Sequence, residues 1–208
     1  MEPAKTRRGD REGRRRDILH AASQILVKRG YSDLNMRDVA RDAGVSAGTL
    51  YSYFATKEEI FETLLIQRYG DVLEAIEAVE VDRPADIEGL LQVAIPAFIE
   101  TYRVYGRHFS AWRHYMASNP GEAPKTGVGG ELLDAYMALK TAFERCLRAT
   151  AKRQGISAFE TPVEMAYVWV IVGGMSEHFG NDRHRFGDYE MDDVIRHAAR
   201  VLATYDRE

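Results

Sequence analysis

Apolar residues recur along most of this chain at the three- and four-residue spacing of a helix face, and no segment shows the strict alternation of a half-buried strand. Ile18, Ala21, Ala22, Ile25 and Leu26 set a first helix, with Lys28 and Arg29 at its negative dipole end and Gly30 as its cap. Asn35 followed by Met36-Arg37-Asp38 has the spacing of a capping box and predicts a short second helix, which Gly44 stops after Ala43. Ser46 can cap a short third helix through Thr49, Leu50 and Tyr51. Thr56-Lys57-Glu58-Glu59 is a further capping box, opening a long fourth helix with Ile60, Phe61, Leu64, Leu65, Val72, Leu73, Ile76 and Val79 on its apolar side; Pro84 marks its end.

The pattern continues in the second half. Ile87, Leu90, Leu91, Ala94, Ile95, Phe98, Ile99 and Tyr102 predict a fifth helix, which Pro96 should kink by removing one N–H. A sixth is expected over about 107–118, stopping before Pro120, and residues 119–130, with four Gly and two Pro, read as a mobile loop. Leu132, Tyr136, Leu139, Phe143, Cys146 and Leu147 carry a seventh, closed by Gly155. Thr161-Pro162-Val163-Glu164 combines an N-cap, a proline in the first turn and a capping-box acid, so an eighth helix runs from there to about Phe179. Met191, Val194, Ile195, Ala198, Val201, Leu202 and Tyr205 carry a ninth. The expectation is an all-α chain of about nine helices: a basic arm without apolar periodicity over 1–13, expected to be disordered, a three-helix unit over 14–57, and a larger helical unit over 58–208.

Charge sharpens this division. The formal net charge is −4, but residues 1–57 hold 12 Lys/Arg against 7 Asp/Glu, or +5, whereas 58–208 hold 16 against 25, or −9. Such asymmetry suggests one part that faces nucleic acid and one that does not. The lone cysteine, Cys146, lies among apolar residues and reads as a small buried hydrophobe. The N-terminus lacks the apolar stretch of a secretory signal, and the apolar run from Ala166 to Val172 is too short to span a bilayer; a soluble cytoplasmic protein without membrane contact is expected.

Val39-Ala40 to Gly44-Val45 and on to Leu50 is the pattern of a helix-turn-helix: Ala40 permits close approach, Gly44 takes the left-handed turn, and Val39, Val45 and Leu50 pack the helices together. Two short helices joined by Gly also occur in proteins that bind no DNA, so the turn alone leaves both readings open. The longer segment is more specific. Gly30-Tyr31, Met36 to Ala40, Ala43 to Ser46, Gly48 to Phe54 and Lys57-Glu58-Glu59 together resemble the signature of the tetracycline-repressor (TetR) family over about 45 residues. The resemblance implies an N-terminal DNA-binding domain followed by a ligand-sensing and dimerisation domain, and a regulator, most simply a repressor, that binds a near-palindromic double-stranded operator as a dimer and is released by a small effector.

Carried over by position, the resemblance implies that Ser46, Ala47, Gly48 and Thr49 open a recognition helix in the major groove, that Arg37 reaches a base or phosphate, and that Tyr51, Tyr53 and Lys57 meet the backbone. Ala47 and Gly48 offer no side-chain hydrogen bonds, so reading there would rest on Thr49, Arg37, methyl contacts and DNA shape. Lys57 has independent support, because the helix dipole opposes a cation in the first turn while a phosphate at that end is favoured; a solvated Lys paired with an acid is the alternative. Core packing competes with DNA contact for both tyrosines, and is favoured for Tyr51, whereas DNA contact is favoured for Tyr53.

Between Val163 and Met175 only Glu164 is charged, and a helix apolar all round must be covered on both sides. A second subunit is the expected cover, giving a homodimer through the helices at about 162–179 and 189–205, with a buried central helix of a monomer as the alternative. Tyr102, Phe109, Trp112, Tyr115, Met116, Tyr136, Phe143 and Trp169 are candidate lining for an apolar or aromatic effector, although each is individually also a core residue. His178, Asp182 and His184 lack the spacing of metal ligands and read as surface or loop residues, and His108 and His114 fall on different sides of their helix. No nucleophile–base pair, phosphate loop or nucleotide fingerprint occurs, so no catalytic residue, metal or cofactor is expected. A helical enzyme would need such spacings, and an architectural DNA-binding protein should be basic throughout.

Overall fold

The computed structural model describes residues 10–82, 86–118, 127–181 and 188–204, with side chains over 10–79, 86–106, 127–181 and 188–202. Among the described residues there are eight α-helices, one 3-10 turn and no strand: α1 (Arg11–Arg29), the turn Tyr31–Asp33, α2 (Met36–Asp42), α3 (Ala47–Tyr51), α4 (Lys57–Asp82), α5 (Ile87–Ser118), α6 (Gly127–Arg153), α7 (Pro162–Gly180) and α8 (Met191–Thr204).

Capping explains most of the boundaries. Asp10 accepts a hydrogen bond from the Gly13 N–H at 2.8 Å and starts α1 at Arg11, inside the arm expected to be disordered over 1–13; residues 1–9 lie outside the described residues. Thr161 and Glu164 form the expected reciprocal box at the start of α7. Gly155 has φ +70°, and the N–H groups of Gly155 and Ile156 donate to Lys152 and Ala151, so the closure of α6 is a Schellman motif.

Two expectations about the centre of the chain are corrected. The fifth and sixth helices are one, α5, which runs through both Pro96 and Gly106. Gly106 is a seat rather than a break: a Cβ there would stand 2.8 Å from the Tyr102 ring, one turn earlier on the same helix. Of the loop expected over 119–130, residues 127–130 already belong to α6, and 119–126 lie outside the described residues.

Among the described residues a continuous apolar core runs from Ile18 in α1 to Leu202 in α8. The long α4 packs against α1, α5 and α6, and α5 packs against α7 and α8, so α4 joins the N-terminal helices to the larger bundle. Among the described residues no helix is long and apolar enough to cross a membrane.

Candidate functional site

The N-terminal site begins with a glycine. Gly44 stands at φ +67°, a left-handed conformation that costs glycine little, and lets its own N–H donate to the Arg41 carbonyl and the Val45 N–H to the Ala40 carbonyl at 2.9 Å. Val39 and Leu50 are fully buried behind this turn, which sets α3 against α2. Ser46 then caps α3: its Oγ accepts from the Thr49 N–H at 3.0 Å and lies 2.8 Å from the Thr49 hydroxyl. The result is a short helix whose leading residues Ser46, Ala47 and Gly48 are exposed and whose Thr49 is half-buried.

Arg37 projects from α2 and is exposed, while the neighbouring cations are engaged: Arg41 pairs with Asp38 and Asp42, and Arg29 reaches Asp38 at 3.7 Å. The Asn35 hydrogen bond, with Arg41 and Arg29 adding to it, holds the Asp38 carboxyl below the usual carboxylate range. The two tyrosines reverse the expectation. Tyr51 is 56% exposed, whereas Tyr53 is half-buried against the core with the Arg11 guanidinium 5.8 Å from its ring centroid. The physical reason is register: Leu50 and Phe54 take the buried side, which turns Tyr51 outward.

Lys57 opens α4 with its ammonium 4.5 Å from the Tyr31 ring centroid, so an aromatic face, together with the charge of Glu58, offsets its unfavourable place at the helix start. The Tyr31 hydroxyl donates to the Glu58 carboxylate at 2.8 Å. Burial, and then this hydrogen bond, raise the Tyr31 phenol well above its ordinary value, and the same bond holds Glu58 below the usual range. Tyr31 also meets Phe61 edge-on at 4.8 Å, and Phe61 in turn meets Tyr105 of α5 at 5.4 Å.

A second site lies in the larger bundle, where α4, α5, α6 and α7 enclose a cavity of about 370 Å³. Tyr69 comes from α4, Phe98, Thr101 and Tyr102 from α5, Tyr136, Leu139 and Lys140 from α6, and Trp169, Val170, Val172, Gly173, Gly174, Ser176 and Glu177 from α7. An aromatic group fixes the wall, with Phe98, Phe143 and Trp169 meeting edge-to-face at 5.3 to 5.8 Å. The Trp169 indole N–H donates to Glu144 at 2.8 Å, and Glu144 is also ion-paired with Lys140 and lies 3.8 Å from Arg148. Burial alone would push the Glu144 carboxyl up; the hydrogen bonds from Lys140 and Trp169 outweigh it and hold it low. Arg68 connects the cavity wall to α4: its guanidinium donates to the Thr101 hydroxyl at 3.0 Å and to the Ala97 carbonyl at 3.1 Å. Burial pushes the Tyr105 phenol up to about 12.

Comparison with known proteins bears on this two-part arrangement. The pattern defining the bacterial regulatory proteins of the tetR family matches residues 18–64, the stretch from α1 through the Gly44 turn into α4. The regulator EthR of Mycobacterium tuberculosis is 32% identical over 140 residues, 66% of this chain and 63% of its own length. Over its N-terminal helices the chain is similar to the TetR family. The transcriptional activator FasR of Mycolicibacterium smegmatis, another TetR-like match, is 36% identical over 97 residues, 45% of this chain and 44% of its own. These matches thus span less than two thirds of either relative. The crystal structure of FadR from Bacillus subtilis in complex with stearoyl-CoA shares the fold, with a TM-score of 0.59 at 18% identity over 91% of this chain and 97% of that one.

Within this two-part arrangement the structure distributes the candidate residues unevenly. Arg37, Ser46, Ala47, Gly48 and Tyr51 are exposed, Thr49 is half-buried, and Lys57 is half-buried at the start of α4. Tyr102, Tyr136 and Trp169 line the cavity, whereas Phe143 is fully buried behind Phe98 and Trp169 and does not. Phe109, Trp112, Tyr115 and Met116 lie on α5 where side chains are outside the described residues, as are those of His108 and His114. His178, read as surface or loop, is half-buried near the end of α7, stacked on Tyr189 at 5.8 Å with a hydrogen bond of 2.5 Å to its hydroxyl; Asp182 and His184 lie outside the described residues. Among the described residues no three His, Cys, Asp or Glu gather as metal ligands. Sequence reasoning missed Tyr69, because a tyrosine on the buried stripe of α4 reads as core, and Lys140, because a lysine on a mixed helix reads as solvated. It also missed Arg11 and Arg15, whose guanidinium groups lie against Tyr53 and Phe54 at 5.8 and 5.2 Å.

Proposed function

We propose that this chain is a ligand-responsive, DNA-binding transcriptional regulator, most simply a repressor, which binds a near-palindromic operator as a homodimer and is released by a small, largely apolar effector. The observation that carries the reading is that one unbroken helix joins the two sites. The α4 helix holds Lys57 at its start beside α3 and Tyr69 in the cavity wall. These two residues are about 18 Å apart along the helix axis at 1.5 Å per residue, so a displacement of α4 at the cavity reaches the DNA-reading end.

In this reading residues 14–57, with the first turn of α1 from Arg11 before them, form the DNA-binding unit and 58–208 the sensing and dimerisation unit. Ser46 to Thr49 enter the major groove, Arg37 contacts a base or phosphate, and Tyr51 and Lys57 hold the backbone. The Thr49 hydroxyl already engages Ser46, so its base contact competes with the cap of α3. A homodimer through α7 and α8 is supported by Val163, Tyr167 and Val170, which leave 76, 42 and 69% of their surface exposed along one side of α7. The aromatic cavity supports an apolar effector, and a fatty acyl group is the class to test first, since FadR was crystallised with stearoyl-CoA. Cytoplasmic action follows from the same reading.

The deciding experiment is recovery of duplexes from a random pool by the purified protein, then titration of the recovered sequence at several salt concentrations. Two inverted half-sites about one helical turn or a multiple apart are expected. Absence of duplex binding at low salt, with and without acyl ligands, overturns the regulator reading.

A further inference from the structure

The bundle cavity has polar groups as well as an aromatic wall, and most of their protons are already used. Thr101 and Ser176, 5 and 6% exposed, donate their hydroxyl protons to the Ala97 and Val172 carbonyls at 2.7 Å, one turn back on their own helices. The Trp169 indole N–H is taken by Glu144. Each of these three side chains has one proton, so none is left to donate to a ligand. Lys140 differs. Its ammonium carries three N–H groups, and the bond to Glu144 uses one.

The ion pair at Lys140 is also placed unsymmetrically about the cavity. The Lys140 side chain lines it and is 33% exposed, whereas Glu144 is 13% exposed and does not line it. The cavity therefore meets the cation of the pair, with the carboxylate behind. Glu144 does not depend on this lysine alone. Lys140 and Trp169 donate to the same oxygen, Oε1, while Arg148 lies 3.8 Å from Oε2, so with Lys140 turned away each oxygen keeps a partner. A second cation stands behind the wall. The Arg68 guanidinium donates to the Thr101 hydroxyl, and among the described residues no carboxylate is ion-paired with it. The carboxylate that does line the cavity, Glu177, is exposed and lies about 12 Å beyond Trp169 along α7 at 1.5 Å per residue.

We infer that the effector is a free carboxylic acid, bound as its anion, whose carboxylate takes the Lys140 ammonium beside Trp169 while its chain lies among the aromatic residues. The inference rests on the ligand-responsive reading proposed above and deepens it by naming the effector's head group. Burying a carboxylate is costly unless a charged donor meets it, and an ammonium does so with short, charge-assisted hydrogen bonds. The volume, about 370 Å³, is at the small end of ligand sites and suits one chain of moderate length. An alcohol or a thioester of the same chain would leave the spare Lys140 donors without an anion.

The test uses the full chain with the neutral fluorophore N-phenyl-1-naphthylamine as probe, displaced by decanoate, 1-decanol or decanoyl-CoA at about pH 8, where the acid is ionised. The wild type is expected to bind decanoate about tenfold more tightly than the alcohol, and Lys140→Met to abolish that preference while leaving 1-decanol unchanged. Glu144→Gln should act in the opposite sense and tighten decanoate severalfold, because the ammonium loses its competing carboxylate. A wild type that binds alcohol and acid equally overturns the inference, as does a folded Lys140→Met that keeps the preference or a folded Glu144→Gln that binds decanoate no more tightly. Decanoyl-CoA bound more tightly than decanoate, with the advantage lost in Lys140→Met, would assign the cation to phosphate and overturn it too. A wild type that takes up no probe overturns the cavity reading and the inference with it, whereas the regulator reading is judged separately by DNA titration. Should Lys140→Met fail to fold, the wild-type comparison and Glu144→Gln decide.

Discussion

The Tyr31 hydroxyl donates to Glu58 at 2.8 Å while the face of the same ring carries the Lys57 ammonium at 4.5 Å. One aromatic side chain thus ties the turn after α1 to the first residues of α4 in two ways. Tyr31→Phe should keep the ring contacts and lose the hydrogen bond, lowering stability by about 0.5–1 kcal/mol at neutral pH, because both groups are partly hydrated. The signs with pH are opposite for the two partners. Glu58 is held low, so its contribution is present above the ordinary carboxylate range and fades as pH falls through and below it. Tyr31 is held high, so its contribution is complete below the ordinary phenol value of about 10 and fades as pH rises beyond it. Urea unfolding across pH should show the wild-type advantage over Tyr31→Phe shrinking at both ends. A pH-independent difference would mean that the bond contributes nothing.

Gly44 makes a sharper claim about backbone. A Cβ at this position would meet nothing within 4 Å, so Gly44→Ala introduces no clash, only the strain of φ +67°. The expected cost is about 1 kcal/mol of stability, and operator affinity should fall further than stability predicts if α3 shifts on α2. Thermal unfolding and operator titration on the same preparation separate the two. Equal stability to wild type would show that the turn accommodates a side chain without strain.

Glu144 anchors the polar side of the cavity through Trp169 and Lys140. Glu144→Gln is nearly isosteric but loses the charge, and should cost about 1–2 kcal/mol at pH 7. Because the wild-type carboxyl is held low, that difference should persist above its ordinary range and diminish as pH falls below it. The Trp169 indole also changes its acceptor, so a shift in tryptophan emission should accompany the stability loss. Unchanged emission and an unchanged melting temperature at pH 7 would remove Glu144 from this role.

How much of this was legible depended on how local its cause is. Caps and glycines act within a few residues, so Asn35, Ser46, Thr161, Gly44 and Gly155 place helix ends where the sequence predicts. The turn between α2 and α3 was legible for that reason, and with it the exposed start of α3. Tyr102 shows the limit. Gly106 seats the Tyr102 ring, and Gly180, at the far end of α7, makes room for the same ring, where a Cβ would stand 2.7 Å away. That packing spans 78 positions of the chain and leaves no periodic trace. The cavity was legible only as aromatic content: Tyr102, Tyr136 and Trp169 reach it, while Phe143, on the same kind of stripe, does not. Periodicity identifies the buried side of a helix but not which buried residues border empty space.

Contacts with the DNA backbone and with bases should separate by kind when Lys57 and Thr49 are compared. A lysine contacting phosphate on each protomer displaces counterions whatever the sequence, so Lys57→Ala should weaken binding to every duplex and reduce the salt slope by about one unit per protomer, or two per dimer. The effect must be read beside Tyr31, since the ammonium also loses its place over that ring. Tyr31→Phe keeps the ring and serves as the control for folding of this corner. Thr49 should behave otherwise. Its hydroxyl is held by Ser46 at the start of α3, so Thr49→Val should alter preference at one base pair of each half-site by about 1–3 kcal/mol while changing affinity for random DNA little. Titrations of operator, singly substituted operators and random duplex at several salt concentrations distinguish the two patterns. If Lys57→Ala leaves affinity and salt slope unchanged in a folded dimer, the phosphate role is wrong, and the position of Lys57 is explained by Tyr31 and Glu58.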